Sequence, residues 1–493
     1  MKRGVAAKIL LMGASALALA ACASGARKPD LTLPAAYEAP AGTAILAPQQ
    51  LDTWWTIFGD DELNGLEDQA LEASPDVKSQ IARLQEARAT RNSTILQTFP
   101  TGNLTGGASN KDTFALGAQP NSLAPIGGQS SNESLNFNVS WELDFFGALK
   151  TARDSARADY AASRFDIESA RASLVANVAD SYFQARGLAI QLEDARQSQR
   201  IEQELLNVAQ TKADRGLGPA SDADRIAGDL AQATSQVSNL AAQLHAAQRT
   251  LLILVGRGPE PVENLPLAAN VPDPPPLPAA VPGDLLQRRP DVREAEEKMR
   301  SSALKTKLAK EQIFPNLTFV PALGLASSTA PGIAVASLVP LVLGTAQQTT
   351  TTGFWSYGAN LSQPVLDIPR LLQDAKAQGA RTEEAVVAYE QAVQNAYGDS
   401  ENALVELASD EQRIAILTDG EARARRAYDA AEIRYKAGLD DITSTLSAEQ
   451  AWRSDRSNLT AEKVQALRRA VQTYKALGGG WVYEPTKTAA RTP

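Results

Sequence analysis

The clearest pattern in the chain is a strict alternation. In "SLNFNVSWELDFFG", Leu135, Phe137, Val139, Trp141, Leu143 and Phe145 alternate with Asn136, Asn138, Ser140, Glu142 and Asp144. A period of two places every apolar side chain on one face of an extended strand. Trp355, Tyr357, Ala359 and Leu361 repeat the pattern against Ser356, Gly358, Asn360 and Ser362. Leu317, Phe319, Leu323 and Leu325 mark a partner strand, and a weaker, Gly-rich partner is read from Thr101 to Ser109. A two-faced sheet admits two readings. It packs on a core with water outside, or it forms a transmembrane barrel with lipid outside and a polar lumen. Trp141, Phe145, Phe146, Phe354 and Trp355 gather at strand ends, as a membrane interface would require.

The second pattern is helical. From about Leu149 to Asp214 there is no proline, and Gly187 is the only glycine. Such a run, as one helix, is roughly 100 Å long. A like run extends from about Arg370 to Lys436, where Val386, Val393, Leu407, Ile414, Tyr428 and Tyr435 share one seven-residue register. Ser400 and Glu421 interrupt it. A seven-residue repeat implies supercoiling with a neighbouring helix. The first run is alanine-rich instead, with Ala152, Ala156, Ala170, Ala172, Ala176, Ala179 and Ala185 allowing close helix approach. Both runs end in turns, "DRGLGPASDAD" and "YKAGLDDITS". Gly216 and Gly438 suit the left-handed residue after a helix. Asp222 and Asp441 follow near new helix starts, where negative charge is favourable. Capping and a role at the hairpin tip, docking a partner or closing a pore, both fit these acids.

The order of elements occurs twice. Ser74-Pro75-Asp76-Val77 is echoed by Arg289-Pro290-Asp291-Val292, Phe99-Pro100 by Phe314-Pro315, and Arg215-Gly216-Leu217 by Ala437-Gly438-Leu439. Each copy reads helix, two strands, very long helix, tight turn, long helix. The implied division is residues 61–256 and 284–476 as repeats, joined by a Pro-rich extended linker at 257–283. Residues 22–60 precede the repeats, and 477–493 form a C-terminal tail. "PGIAVASLVPLVLG", Pro331 to Gly344, is apolar but too short for a spanning helix and is read as a loop between two strands. Four strands per chain cannot close a barrel, for which about eight are the minimum, and open edges cannot face lipid. Several chains must then share one barrel: two would give eight strands, three would give twelve.

The start of the chain favours the membrane reading. Lys2, Arg3 and Lys8 precede an apolar run from Ile9 to Ala21, which ends in Leu19-Ala20-Ala21-Cys22. This is the layout of a secretory signal over residues 1–21. Leu-Ala-Ala-Cys resembles the bacterial lipobox, whose cysteine is acylated and becomes the first residue of the mature chain. Each buried CH2 of such an acyl chain contributes about 0.8 kcal/mol. Cys22 is the only cysteine in 493 residues, so no internal disulfide exists. Ala23 follows it, not aspartate, which in the lipoprotein sorting rule of enteric bacteria favours the outer membrane. Removing the signal takes away three positive charges and makes the chain more acidic than its formal −9. That argues against nucleic acid as a partner. One histidine, His245, and one cysteine leave no zinc site or Cys/His nucleophile, and "GLGPAS" lacks the Gly-Lys-Ser/Thr of a phosphate loop. No catalytic residue, metal ligand or cofactor is expected.

Taken together, the lipobox at Cys22, "DTWWTIFGDDELNGLEDQAL", "WELDFFG", the paired "RGL" and "AGL" turns and "YKALGGGW" resemble the TolC-type outer-membrane efflux channels, in their OprM/NodT-like lipoprotein branch. The likeness covers nearly the whole mature chain. It implies an α+β membrane protein: a homotrimer with one twelve-stranded outer-membrane β-barrel, continued by a long periplasmic α-helical barrel. It implies a passive exit duct fed by a periplasmic adaptor and an inner-membrane pump, RND type foremost. The hairpin tips Arg215, Gly216, Leu217, Lys436, Gly438 and Leu439 would meet the adaptor. Ser221, Asp222, Asp440, Asp441, Ser444 and Ser447 would lie at the periplasmic gate. Ser444 and Ser447 stand where TolC carries acids, so the gate differs in detail. Like carboxylates brought together by three-fold symmetry disfavour a tightly closed ring. Pro369, which stands where the first copy has Gly147, is read as a helix start. A duct for protein secretion uses the same family fold, and a coiled-coil lipoprotein tethering the outer membrane would account for Cys22 and the heptads alone.

Overall fold

A computed structural model describes residues 27–40, 42, 48–113, 128–216, 218–279, 282–334, 344–437, 439–440 and 442–482. Cys22, Leu217, Gly438 and Asp441 lie outside the described residues. The main elements are α1 (Asp61–Ala73), α2 (Pro75–Leu96), β1 (Thr101–Thr113), β2 (Gly128–Leu143), α3 (Ala148–Asp214) and α4 (Ala220–Leu254). The second copy supplies α5 (Pro290–Glu311), β3 (Asn316–Phe319), β4 (Ala322–Ala334), β5 (Gly344–Ser356), β6 (Ala359–Ser362), α6 (Ile368–Lys436) and α7 (Ile442–Ala476). Two units cut across this duplication. One takes Ala87–Tyr160 and Met299–Glu384, together with Arg27; the other takes Lys28–Glu86, Ala161–Lys298 and the chain from Ala385 onward. Each repeat gives its strands to the first unit and most of its long helices to the second.

In the strand-bearing unit β1 pairs with β2, β2 with β4, and β4 with β5, all antiparallel. The short strands β3 and β6 continue this sheet beyond a break at Val320–Pro321. Proline has no N–H to give the ladder. The neighbours compensate, with Val139 N–H donating to the Pro321 carbonyl at 2.9 Å and Val320 N–H to Gly358 at 2.8 Å. The strands depart from the sequence pattern in two places. The alternation runs on to Phe145, yet β2 ends at Leu143. Asp144 turns out of the strand, and its carboxylate accepts the Leu149 and Lys150 N–H groups at 3.1 and 2.8 Å, capping α3. The apolar segment from Pro331 is not wholly loop: Pro331–Ala334 belong to β4 and Gly344 to β5, while residues 335–343 lie outside the described residues.

The helices follow the expected runs closely, at 67 residues for α3 and 69 for α6. Pro369 sits in the first turn of α6, where a missing N–H costs nothing. In the second unit the core gathers Trp54, Phe58, Leu63, Tyr182, Phe183, Leu251, Leu407, Leu467 and Tyr474. Trp54 stacks on Tyr474 at 5.6 Å, so the Trp-Trp stretch is the centre of this core. On α6, Val386, Val393, Ser400 and Leu407 are buried, as the heptad implied. Ser400 interrupts it without cost, because its hydroxyl donates to the Ala396 and Ala476 carbonyls at 2.9 and 3.0 Å. Gly187 of α3 is needed for close approach: a Cβ there would lie 2.6 Å from Val464 of α7.

Candidate functional site

Strand register fixes the two faces of the sheet. Leu104, Phe137, Leu323 and Trp355 stand opposite one another in one row. The next row on that face holds Gly106, Leu135, Leu325 and Gly353. These large apolar side chains are exposed, Leu323 at 60% and Trp355 at 74%. A sheet packed on a protein core would bury them; a sheet facing lipid leaves them bare. The opposite face carries the rows Thr105, Asn136, Gly324, Phe354 and Asn103, Asn138, Ala322, Ser356. Its only charged strand residues among those described are Lys111 and Glu142, near opposite ends. Phe354 is therefore misplaced in the expected aromatic girdle: one residue before Trp355, it falls on the polar face. Trp355 instead stacks on Tyr357 at 5.9 Å.

Both outer strands, β1 and β5, have a partner on one side only within the chain. Their free edges expose a row of N–H and C=O groups over 13 residues each. In hydrocarbon such edges must pair with another copy.

The hairpin tips are the second region. Gly216 has φ of +70° and its N–H reaches the Ala213 carbonyl at 2.9 Å, ending the first long helix in the left-handed residue expected. Arg215, Ser221 and Asp222 are exposed, with Asp222 in the first turn of α4. In the second hairpin Lys436 is the last residue of α6, and Leu439 N–H returns to the Arg434 carbonyl at 2.9 Å. Leu439 is 76% exposed. Asp440 is ion-paired with Arg434 at 3.2 Å. Ser444 and Ser447 lie exposed at the start of α7.

Above the tips lies a cluster that sequence reasoning missed. Trp452 of α7 stacks on Tyr428 of α6 at 5.4 Å, and its indole N–H donates to Glu421 at 2.7 Å. Glu421, the second heptad interruption, is thus an acceptor for the neighbouring helix. Arg425 and Arg456 flank the Trp452 ring at 5.2 and 5.8 Å. Arg456 also pairs with Asp194 of α3 at 2.9 Å, and Arg468 with Asp180 at 2.9 Å, so α7 is tied to both α6 and α3. Burial pushes the Glu202 and Glu449 carboxyls up, which nearby Arg453 partly opposes. The signal available in sequence was a tryptophan within an otherwise charged helix, "AEQAWRSDRS".

A two-faced antiparallel sheet with open edges, continuous with helices far longer than a compact domain holds, defines a channel-forming protein of outer-membrane type, one protomer of the trimeric α+β class that the sequence implied. No described helix is long and apolar enough to cross a membrane. The chain belongs to the outer membrane efflux protein family, whose sequence model matches residues 66–257 and 281–479. It is 28% identical over 483 residues to the pyoverdine export outer membrane protein OpmQ of Pseudomonas aeruginosa, covering 96% of this chain and 97% of that one. It is 25% identical over 481 residues to the cation efflux system protein CusC of Escherichia coli, covering 94% and 97%. The solved outer-membrane channel OprN superposes with a TM-score of 0.74 at 26% identity, covering 92% of this chain and 99% of that one. The protein is an outer-membrane efflux channel, and its fold class is the one its sequence implied.

Proposed function

We propose that three copies close one twelve-stranded barrel, and that this duct receives solute from a periplasmic adaptor and an inner-membrane pump, foremost of the RND type. The observation that carries this is the sheet of β1, β2, β3 continued by β4, and β5 continued by β6, four strand lengths with two open edges that lead into α3 and α6. The tips around Arg215–Leu217 and Lys436–Leu439 meet the adaptor, and Ser221, Asp222, Asp440, Asp441, Ser444 and Ser447 lie at the gate. Duplication supports six near-equivalent docking grooves per trimer. Acyl chains on Cys22 anchor the mature chain at residues 22–60. The repeats run 61–256 and 284–476, with the linker 257–283 between them and the tail 477–493 after. The protein catalyses nothing, and the energy for transport is the pump's. Matched relatives are named for unlike cargo, pyoverdine in one case and cations in another. Unlike cargo through like ducts supports selection by the pump, with drugs and other small solutes as the class carried.

Deleting the gene in its host and restoring it tests this. Drug and dye accumulation should rise on deletion and fall on restoration. No change over a broad panel, with loss of a protein from the culture medium, would assign the duct to secretion instead.

A further inference from the structure

Among the described strand residues, the polar face of the sheet carries one large aromatic ring, Phe354. In its own row and the adjoining ones the described strand residues of that face are Gly, Ala, Ser, Thr, Asn and Gln; Lys111 lies toward the far end, and Glu142 lies in the row of Thr318 and Asn360. Phe354 is 45% exposed, and its ring lies over Gly324 on the adjacent strand. A Cβ at Gly324 would fall 2.5 Å from two atoms of that ring and 2.5 Å from the Asn136 side-chain oxygen. The glycine therefore lets the ring recline against the wall, with its other face open and an amide beside it. One row toward the helices, the strand break opens a recess of about 410 Å³. Asn103, Asn138, Ser140, Asn360 and Pro321 are among the residues that line it. Three neutral amides and a hydroxyl offer donors and acceptors without charge. An exposed ring face beside them offers stacking to any flat π-system.

We propose that Phe354, seated on Gly324, and the recess of Asn103, Asn138 and Asn360 form a solute-binding site on the channel wall for planar aromatic compounds bearing hydrogen-bonding substituents. The inference rests on the reading of this polar face as the lumen. It adds a contact on the exit path while the pump still chooses the cargo. The ring supplies stacking, and the amides orient the polar substituents.

The test uses the full-length protein purified in detergent, with ethidium as the probe and choline as a non-aromatic cation of equal charge. Fluorescence polarisation should show saturable ethidium binding that excess choline does not displace. Phe354→Leu keeps an apolar side chain of similar size and removes the π face. It should weaken ethidium binding about fivefold or more while leaving assembly intact, and Phe354→Trp should retain binding. Gly324→Val, which denies the ring its seat, should weaken binding similarly. Unchanged affinity in Phe354→Leu, displacement by choline, or absence of saturable binding to the wild type would each overturn the proposal. Gene deletion separates this from the duct reading. A deletion that raises accumulation, alongside unaltered ethidium affinity in Phe354→Leu, removes the wall site and leaves the duct.

Discussion

Glu67 of α1 has no exposed surface, and its carboxyl is pushed well above the usual carboxylate range. Burial is the main cause; Asp68 adds to it, and a backbone contact at Ala179 only partly opposes it. A carboxyl whose folded pKa is raised holds its proton better folded than unfolded. Stability from this site is thus fully present below the unfolded pKa, near 4.3, and is lost as pH rises toward the folded value. Glu67→Gln should match the wild type at pH 4 and exceed it by about 1–3 kcal/mol at pH 8. Thermal melts over that range check this, and a difference independent of pH would contradict it. Asp410 of α6 has the same sign in a narrower window. Its buried carboxyl is raised to about 6, chiefly by burial and against the pull of Arg469, with Glu462 raising it further and Arg413 lowering it. Asp410→Asn should remove a loss of stability that the wild type shows between about pH 4 and pH 6. Neither site is legible in sequence, where an acid on a helix reads as solvated. Their surroundings come from helices distant in the chain: Ala179 of α3 beside Glu67, and Glu462 and Arg469 of α7, more than fifty residues from Asp410.

Elements are far more legible, because their signals are local. Period two marks β2, the absence of proline marks α3 and α6, and the left-handed residue at Gly216 marks a hairpin tip. The strand end is harder to read because Phe145 continues the alternation that Asp144 breaks by capping α3. Phe354 cannot be assigned a face from sequence because two adjacent aromatics, Phe354 and Trp355, cannot share one, and only register decides between them. Gly187 stands out in sequence as a lone glycine without a reason. The structure supplies one in the contact with Val464. Gly187→Val should force α3 from α7 and cost about 1–3 kcal/mol or more through overpacking. Gly228 of α4 is a contrast, since a Cβ there would meet no atom within 4 Å. Gly228→Ala should stabilise by about 0.5–1 kcal/mol through helix propensity. Denaturant or thermal unfolding of both variants reads the two signs, and equal destabilisation would show that glycine is needed at both places.

At the scale of the whole molecule the decisive question is which face of the sheet meets lipid. Leu325 stands beside Leu135 on the apolar face, while Ser328 stands beside Asn132 on the polar one, three residues further along the same strand. Both positions are exposed on the same strand, so one substitution tests the faces directly. An arginine on the lipid side costs about 2–4 kcal/mol at the bilayer midplane and less toward the interface. In a closed trimer that cost is met three times over. Leu325→Arg should be depleted from the outer-membrane fraction and should not form heat-resistant oligomers. Ser328→Arg should insert and assemble at wild-type levels, because its side chain enters water. Three added cations along the pore should also shift the reversal potential in planar bilayers toward anion preference. The opposite pair of results, with Leu325→Arg assembling and Ser328→Arg lost, would turn the sheet inside out and remove the lumen from the face that carries Asn136, Asn138 and Phe354.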